Sequence, residues 1–170
     1  MARILIIDDE PNLRRILTLI LQEDGHTVAE AAGVTSALEM LAADRFDLVI
    51  SDKKMPDGDG FDVLAYCREN EPSLPVVILT AVATVELAVE AMQAGAFDFI
   101  SKPFVPEVVT AVAKRATERT KLIRENVVLR EEAFQHRLKK SFFRVAGRRP
   151  HEQVSVEQCV VVTTAGLWDQ

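Results

Sequence analysis

The chain has 170 residues, a length that predicts one domain and an appendage. With 48% hydrophobic and 27% charged residues, and no apolar run that approaches the roughly 18 residues that cross a membrane, a soluble protein is expected. Residues 1–120 carry 11 Lys/Arg against 20 Asp/Glu, whereas residues 121–170 carry 9 against 6, and the acidic body argues against nucleic-acid binding. The two cysteines, Cys67 and Cys159, are too few and too far apart for a disulfide framework, which favours a cytoplasmic location.

Short apolar strands alternate with amphipathic helices along the first 120 residues. The opening run RILIID ends in acids and is predicted to be a strand, not a signal peptide. Pro11 suits the first turn of a helix, and Gly25 and Gly95 suit helix ends. Strands are predicted at 3–8, 26–31, 46–51, 75–80 and 96–101, and helices start at or near 11, 34, 61, 84 and 106.

This alternation predicts the fold class. The strand cores ILII, LVI and VVIL have no polar alternation, which indicates a parallel sheet covered by helices on both faces. The expected fold is α/β, a doubly wound, flavodoxin-like, five-stranded parallel sheet with strand order 2-1-3-4-5 and an extended C-terminal helix. In that order the first and third strands are neighbours at the switch point, where such sheets bind ligands.

Polar side chains follow four of the predicted strands. Asp8 and Asp9 end the first strand, Asp52 the third and Thr80 the fourth, and Lys102 follows the fifth. Carboxylates about 4 Å apart repel by roughly 4 kcal/mol at an effective dielectric constant near 20, and a hard cation such as Mg²⁺ relieves this. An ionised Asp can also act as a nucleophile in phosphoryl transfer, with a metal, a lysine and a hydroxyl to neutralise the transferred oxygens. Solubility of loops alone does not account for all five residues lying at the same strand ends.

Four motifs carry a resemblance to a known family. They are IIDDEP (6–11), SDKKMPDGDG (51–60), ILTAVA (78–83) and GAFDFISKPF (95–104). With these motifs, residues 1–120 resemble a response-regulator receiver domain of two-component signalling. The resemblance implies that Asp52 is the phospho-acceptor and that Mg²⁺ is bound by Asp9, Asp52 and the backbone carbonyl of Lys54, with Asp8 acting through water.

The same resemblance implies the remaining roles. Thr80 and Lys102 are expected to hold the phosphoryl oxygens, Phe99 to be the switch aromatic, and the Lys102–Pro103 bond to be cis. Phosphorylation would draw Thr80 toward the phosphoryl group and let Phe99 fill the vacated space.

A few positions depart from the family pattern. Lys53 stands where an apolar residue is usual, Gly58 where Met or Leu is common, and Val82 where His or Tyr is frequent. Phe99 replaces a frequent tyrosine and keeps the ring without the hydroxyl. None of these changes removes a proposed catalytic group.

The segment 105–144 contains no glycine and no proline after Pro106, so the fifth helix is predicted to continue beyond an ordinary length. With Asn126 at heptad position a, Leu122 and Leu129 fall at d, which favours a parallel coiled-coil linker, with a solvated amphipathic helix as the alternative. The expected division is a receiver domain at 1–120, a helical or coiled-coil linker at 121–144, and a tail at 145–170.

This linker, together with the stretch TAVATVELAVEAMQAGAFDFISKPF (80–104), resembles NtrC-type activators of sigma-54 transcription. The run FFRVAGRRP (142–150) resembles the start of their ATPase domain, but no G-x-x-x-x-G-K-[ST] loop follows. The tail is therefore expected to be disordered or a truncated remnant of an ATPase.

The predicted function is a phospho-accepting switch, not an enzyme, with a role in transcription regulation. Its expected partners are a sensor histidine kinase and a second copy of the chain, with no membrane association and no direct nucleic-acid binding. The alternatives are a stand-alone receiver that acts by protein contact or as a phosphate sink, and a Mg²⁺-dependent phosphohydrolase with an Asp nucleophile. The hydrolase would need D-x-D-x-[TV] after the first strand, and DDEPN does not provide it.

Overall fold

The computed structural model describes residues 1–81 and 84–146, with side chains described up to residue 138. These residues form two units, Met1–Asn126 and a second that begins at Val127. The elements in chain order are β1 (Arg3–Ile7), α1 (Pro11–Glu23), β2 (Thr27–Ala31), α2 (Val34–Ala43), β3 (Leu48–Asp52), β4 (Lys54–Met55), β5 (Gly58–Asp59), α3 (Gly60–Asn70), β6 (Val76–Thr80), α4 (Val85–Ala94), β7 (Asp98–Ser101) and α5 (Pro106–Ala146).

Five parallel strands form one sheet in the order β2-β1-β3-β6-β7. The predicted doubly wound α/β fold, its strand order and the long C-terminal helix are therefore confirmed. The short antiparallel hairpin β4–β5 was not predicted, because two-residue strands show no periodicity in the sequence.

The central strands are buried on both faces. On one face Ile4 and Ile6 of β1 pack with residues of α1 and α5, and on the other Leu5 and Ile7 pack with residues of α2, α3 and α4. Cys67 of α3 packs on the same face as Leu5 and Ile7. Burial, with a smaller effect from the negative charge of Glu71, raises the pKa of its thiol to about 12. The unbroken apolar runs of the sequence thus form a two-sided core.

The helix ends follow local chemistry. Pro11 opens α1, and Gly25, just after that helix, has φ +83°. Thr84 caps α4 by accepting from the Leu87 N–H, and Gly95 ends α4 in the left-handed conformation with φ +93°. These ends confirm the predicted helix boundaries.

Within the first unit, α5 contacts the loop before β3 as far as Arg124. Thr120 donates to the carbonyl oxygen of Asp47 at 2.9 Å, and Arg124 pairs with the Asp47 carboxylate and donates to the carbonyl oxygen of Phe46 at 2.8 Å. Contacts with the loop before β3 therefore continue four residues past the expected receiver boundary. The expected tail from Gly147 onward lies outside the described residues, and in the part of the chain that is described no helix is both long and apolar enough to span a bilayer.

Candidate functional site

The side chains of Asp8, Asp52 and Lys102 meet at the carboxyl edge of the sheet. Lys102 Nζ lies 2.8 Å from Asp8 Oδ2 and 2.6 Å from Asp52 Oδ1. Asp8 follows β1, and Asp52 ends the neighbouring strand β3. Since these two strands are paired in parallel, their carboxyl ends, and with them the two carboxylates, lie side by side. One ammonium thus bridges two carboxylates that are far apart in sequence.

Both carboxylates are buried, and their second oxygens are also engaged. Asp8 Oδ1 accepts from the Glu10 N–H at 2.8 Å, and Asp52 Oδ2 accepts from the Lys54 N–H at 3.1 Å. Burial alone would lower the pKa of Lys102, but hydrogen bonds to Asp52 and Asp8, with their negative charges, outweigh burial and hold this pKa above its ordinary value. The ammonium therefore stays charged at neutral pH.

The other predicted residues lie around this edge. Asp9 is exposed beside Asp8, and Lys54 follows Asp52 in the hairpin. Thr80 is buried at the end of β6, and its carbonyl oxygen accepts from the Lys102 N–H at 2.7 Å. Val82, at which the sequence departs from the family pattern, lies outside the described residues.

The charges of the site suit a divalent cation. Two buried carboxylates, Asp8 and Asp52, share a single ammonium, which leaves an excess of negative charge on hard oxygen ligands, and the exposed Asp9 follows Asp8 in the chain. Among residues 1–81 and 84–146, no group of three or more His, Cys, Asp or Glu side chains already converges as a metal cage. This composition fits Mg²⁺, which uses one or two carboxylates together with water.

Phe99 lies on β7 and is half-buried. It lines an open groove of about 560 Å³ with residues of α4 that include Val85, Val89 and Met92. Those three side chains are exposed, so the apolar floor of the groove faces solvent. The Lys102–Pro103 peptide bond is cis, as predicted.

Two features of the loop after Asp52 were not predicted. A side chain at Gly60 would overlap the carbonyl oxygen of Asp52, so glycine is required there for the close approach of α3 to β3. Asp57, at the turn of the hairpin, accepts hydrogen bonds from two backbone N–H groups of α2. The sequence signals this contact only indirectly: Gly33 at the N-cap position of α2 has no side chain that could cap the helix, so an acceptor must come from elsewhere.

Residues 4–114 match the response regulator receiver domain. The chain therefore belongs to this family, and its relatives are response regulators of the NtrC type. It is 38% identical over 130 residues to the C4-dicarboxylate transport transcriptional regulatory protein DctD of Rhizobium meliloti (strain 1021), a match that covers 76% of this chain and 28% of DctD.

Solved structures agree with this membership. NtrX from Brucella abortus in complex with ATP superposes with a TM-score of 0.70 at 37% identity, covering 75% of this chain and 29% of that one. The beryllofluoride-activated NtrC4 receiver domain dimer superposes with a TM-score of 0.66 at 33% identity, covering 69% of this chain and 98% of that one. The chain thus spans little more than a quarter of the length of DctD, and nearly all of an isolated receiver domain.

Proposed function

We propose that this chain is the receiver part of a response regulator in which Asp52 accepts a phosphoryl group from a sensor histidine kinase with the help of Mg²⁺. The observation that carries the proposal is the Lys102 ammonium held between Asp8 and Asp52 at the carboxyl edge of the sheet. An ammonium at this position can neutralise charge on a phosphoryl group attached to Asp52.

The transfer needs a nucleophile and charge neutralisation. One oxygen of the Asp52 carboxylate forms a bond to phosphorus while the bond from phosphorus to the kinase histidine breaks, and the imidazole nitrogen keeps the bonding electron pair. Asp9, Asp52 and the Lys54 carbonyl would hold Mg²⁺, with Asp8 acting through water, and the ion would supply positive charge against the transferred oxygens. Lys102 supplies a second positive charge, and the Thr80 hydroxyl a hydrogen-bond donor.

Phosphorylation would change association with partners through the groove of α4 and β7. Phe99 lines this groove, so movement of its ring toward the interior would reshape an apolar surface on which Val85 is 76% exposed. The solved NtrC4 receiver in its beryllofluoride-activated form is a dimer, which supports a second copy of the chain as the occupant. The output would be transcription regulation, since the similar protein DctD is a transcriptional regulatory protein.

The linker offers a second site of self-association. Leu122 and Leu129 are 65% and 64% exposed on α5, and Asn126 is also exposed. Their i, i+4 and i+7 spacing supports the predicted parallel coiled coil.

Intact-mass analysis after incubation with Mg²⁺ and a small phosphodonor tests the proposal. The wild-type chain should gain one phosphoryl group, and Asp52→Asn should gain none. Asp44→Asn is the matched control, because Asp44 is an exposed carboxylate that pairs with Arg3 at the amino end of β1. This variant should label like wild type. Equal labelling of Asp52→Asn would refute the assignment.

A further inference from the structure

The start of α2 lacks a capping side chain of its own. The first N–H groups of a helix have no partner within the helix. Gly33 occupies the N-cap position and offers no side-chain acceptor. The acceptor comes instead from 23 residues further along the chain: Asp57 Oδ1 accepts from the Val34 N–H at 3.1 Å, and Asp57 Oδ2 accepts from the Thr35 N–H at 3.0 Å.

Two glycines make room for this contact. A side chain at Gly33 would overlap the Asp57 carboxylate, although the backbone there is extended and any residue could adopt it. A Cβ at Gly58 would lie 2.8 Å from Val34 Cγ2. The turn of the hairpin therefore rests directly on the first turn of α2, held by both polar and apolar contacts.

The other end of the same hairpin touches the proposed acceptor. The Lys54 N–H, in the first hairpin strand, donates to Asp52 Oδ2 at 3.1 Å. Lys54 pairs with Asp59 across the hairpin, and the Lys53 N–H donates to the Leu79 carbonyl oxygen of β6 at 2.8 Å. A hairpin only two residue pairs long has little stability of its own, so its position depends on such anchors at both ends.

We propose that Asp57 is a positioning residue for the Asp52 site: by capping α2 it pins the hairpin and so holds the Lys54 peptide against the Asp52 carboxylate. Asp57 touches neither the phosphoryl group nor the metal in this account. Its pKa is lowered chiefly by the backbone hydrogen bond from Thr35 and then by that from Val34, in keeping with an ionised cap at a helix N-terminus. The functional part of the inference rests on the proposed phosphorylation of Asp52, whereas the positioning of Lys54 does not.

The test compares variants that remove the cap in different ways. Asp57→Ala deletes the carboxylate, Asp57→Asn leaves one acceptor oxygen, and Gly33→Ala displaces the carboxylate without changing it. Gly25→Ala is the control: its φ of +83° strains any other residue and nothing lies within 4 Å of the added atom, so it lowers stability without touching the hairpin.

Two measurements on the 170-residue chain test the proposal. The first is hydrogen exchange of the Lys54 amide by NMR, and the second is the beryllofluoride concentration needed for half-saturation with excess Mg²⁺. Loss of a partner that orients a metal ligand typically lowers affinity about 10-fold to 100-fold, so we expect about tenfold weaker beryllofluoride binding in Asp57→Ala and Gly33→Ala. Without its anchor on α2 the hairpin should also open more often, so we expect at least about tenfold faster exchange of the Lys54 amide in the same two variants. Asp57→Asn should give a smaller change in the same direction, and Gly25→Ala none.

The outcomes separate the two claims. Unchanged Lys54 exchange in Asp57→Ala and Gly33→Ala would overturn the positioning role, and so would an equal effect in Gly25→Ala. If Asp57→Ala does not fold, Asp57→Asn and Gly33→Ala decide. Absence of beryllofluoride binding in wild type would instead refute the proposed function, while the exchange data would still test the anchor.

Discussion

Lys102→Met removes the cation that separates two buried carboxylates while keeping an unbranched side chain. In the wild-type chain Lys102 Nζ lies 2.8 Å from Asp8 Oδ2 and 2.6 Å from Asp52 Oδ1. Without the ammonium, two carboxylates roughly 5 Å apart repel by about 3 kcal/mol at an effective dielectric constant near 20. Removal of one member of a buried ion pair typically costs about 3–5 kcal/mol, and we expect the free energy of unfolding to fall by that amount.

Urea denaturation followed by circular dichroism at neutral pH, with chelator present, measures this change. Lys114→Met is the matched control, because Lys114 is an exposed lysine of α5 and its loss leaves no buried charge. This control should unfold within about 0.5 kcal/mol of wild type. Millimolar Mg²⁺ should stabilise Lys102→Met more than wild type, because a cation can then bind the carboxylates without competition from the ammonium.

Two results would contradict this reasoning. A Lys102→Met chain within about 1 kcal/mol of wild type would show that the two carboxylates do not depend on the ammonium. Equal losses in Lys102→Met and Lys114→Met would show that the effect is not specific to the buried site.

Three further expectations follow from contacts elsewhere in the chain. Thr120→Val removes a buried hydroxyl that donates to a backbone carbonyl before β3, and it should lower the free energy of unfolding by about 1 kcal/mol in urea titration; no change would refute the anchoring of α5 there. Leu129→Asp should raise the dissociation constant of self-association at least about tenfold in sedimentation equilibrium, because an unpaired charge would be buried in the coiled coil. An equal effect of Val128→Asp, which lies outside the predicted a and d positions, would argue against the heptad. The pKa of Asp57 lies below its ordinary value of 3.8, chiefly because the Thr35 N–H donates to it, so its stabilising contribution is present above that value and is lost as pH falls through the lowered pKa. The stability difference between wild type and Asp57→Asn should therefore disappear in acid, and a difference that persists there would contradict the role of the charge.

The sequence predicted the sheet and the position of the polar cluster because both depend on local patterns. Unbroken apolar runs identified the buried parallel strands, and the geometry of a parallel sheet brings their carboxyl ends to one edge. Asp8, Asp52 and Lys102 therefore could be placed together from strand ends alone, and the structure does bring them together. Their roles in phosphorylation stay a prediction.

Contacts between distant segments could not be predicted in the same way. The hydrogen bond from Thr120 to Asp47 joins residues 73 apart, and neither residue type is unusual at its position. Asp57 likewise looks like an ordinary turn residue, because its partners lie on a helix 22 and 23 residues earlier. Such contacts depend on the packed geometry of the sheet and helices, which no single stretch of sequence contains.

Reductive trapping of the phosphorylated chain identifies the residue that carries the phosphoryl group. Borohydride reduces an aspartyl phosphate to homoserine, and peptide mass mapping then locates the modified residue. After treatment with Mg²⁺ and a small phosphodonor, we expect homoserine at position 52 only. Homoserine at position 8 or 9, or none at any position, would contradict the assignment of Asp52 as the phospho-acceptor.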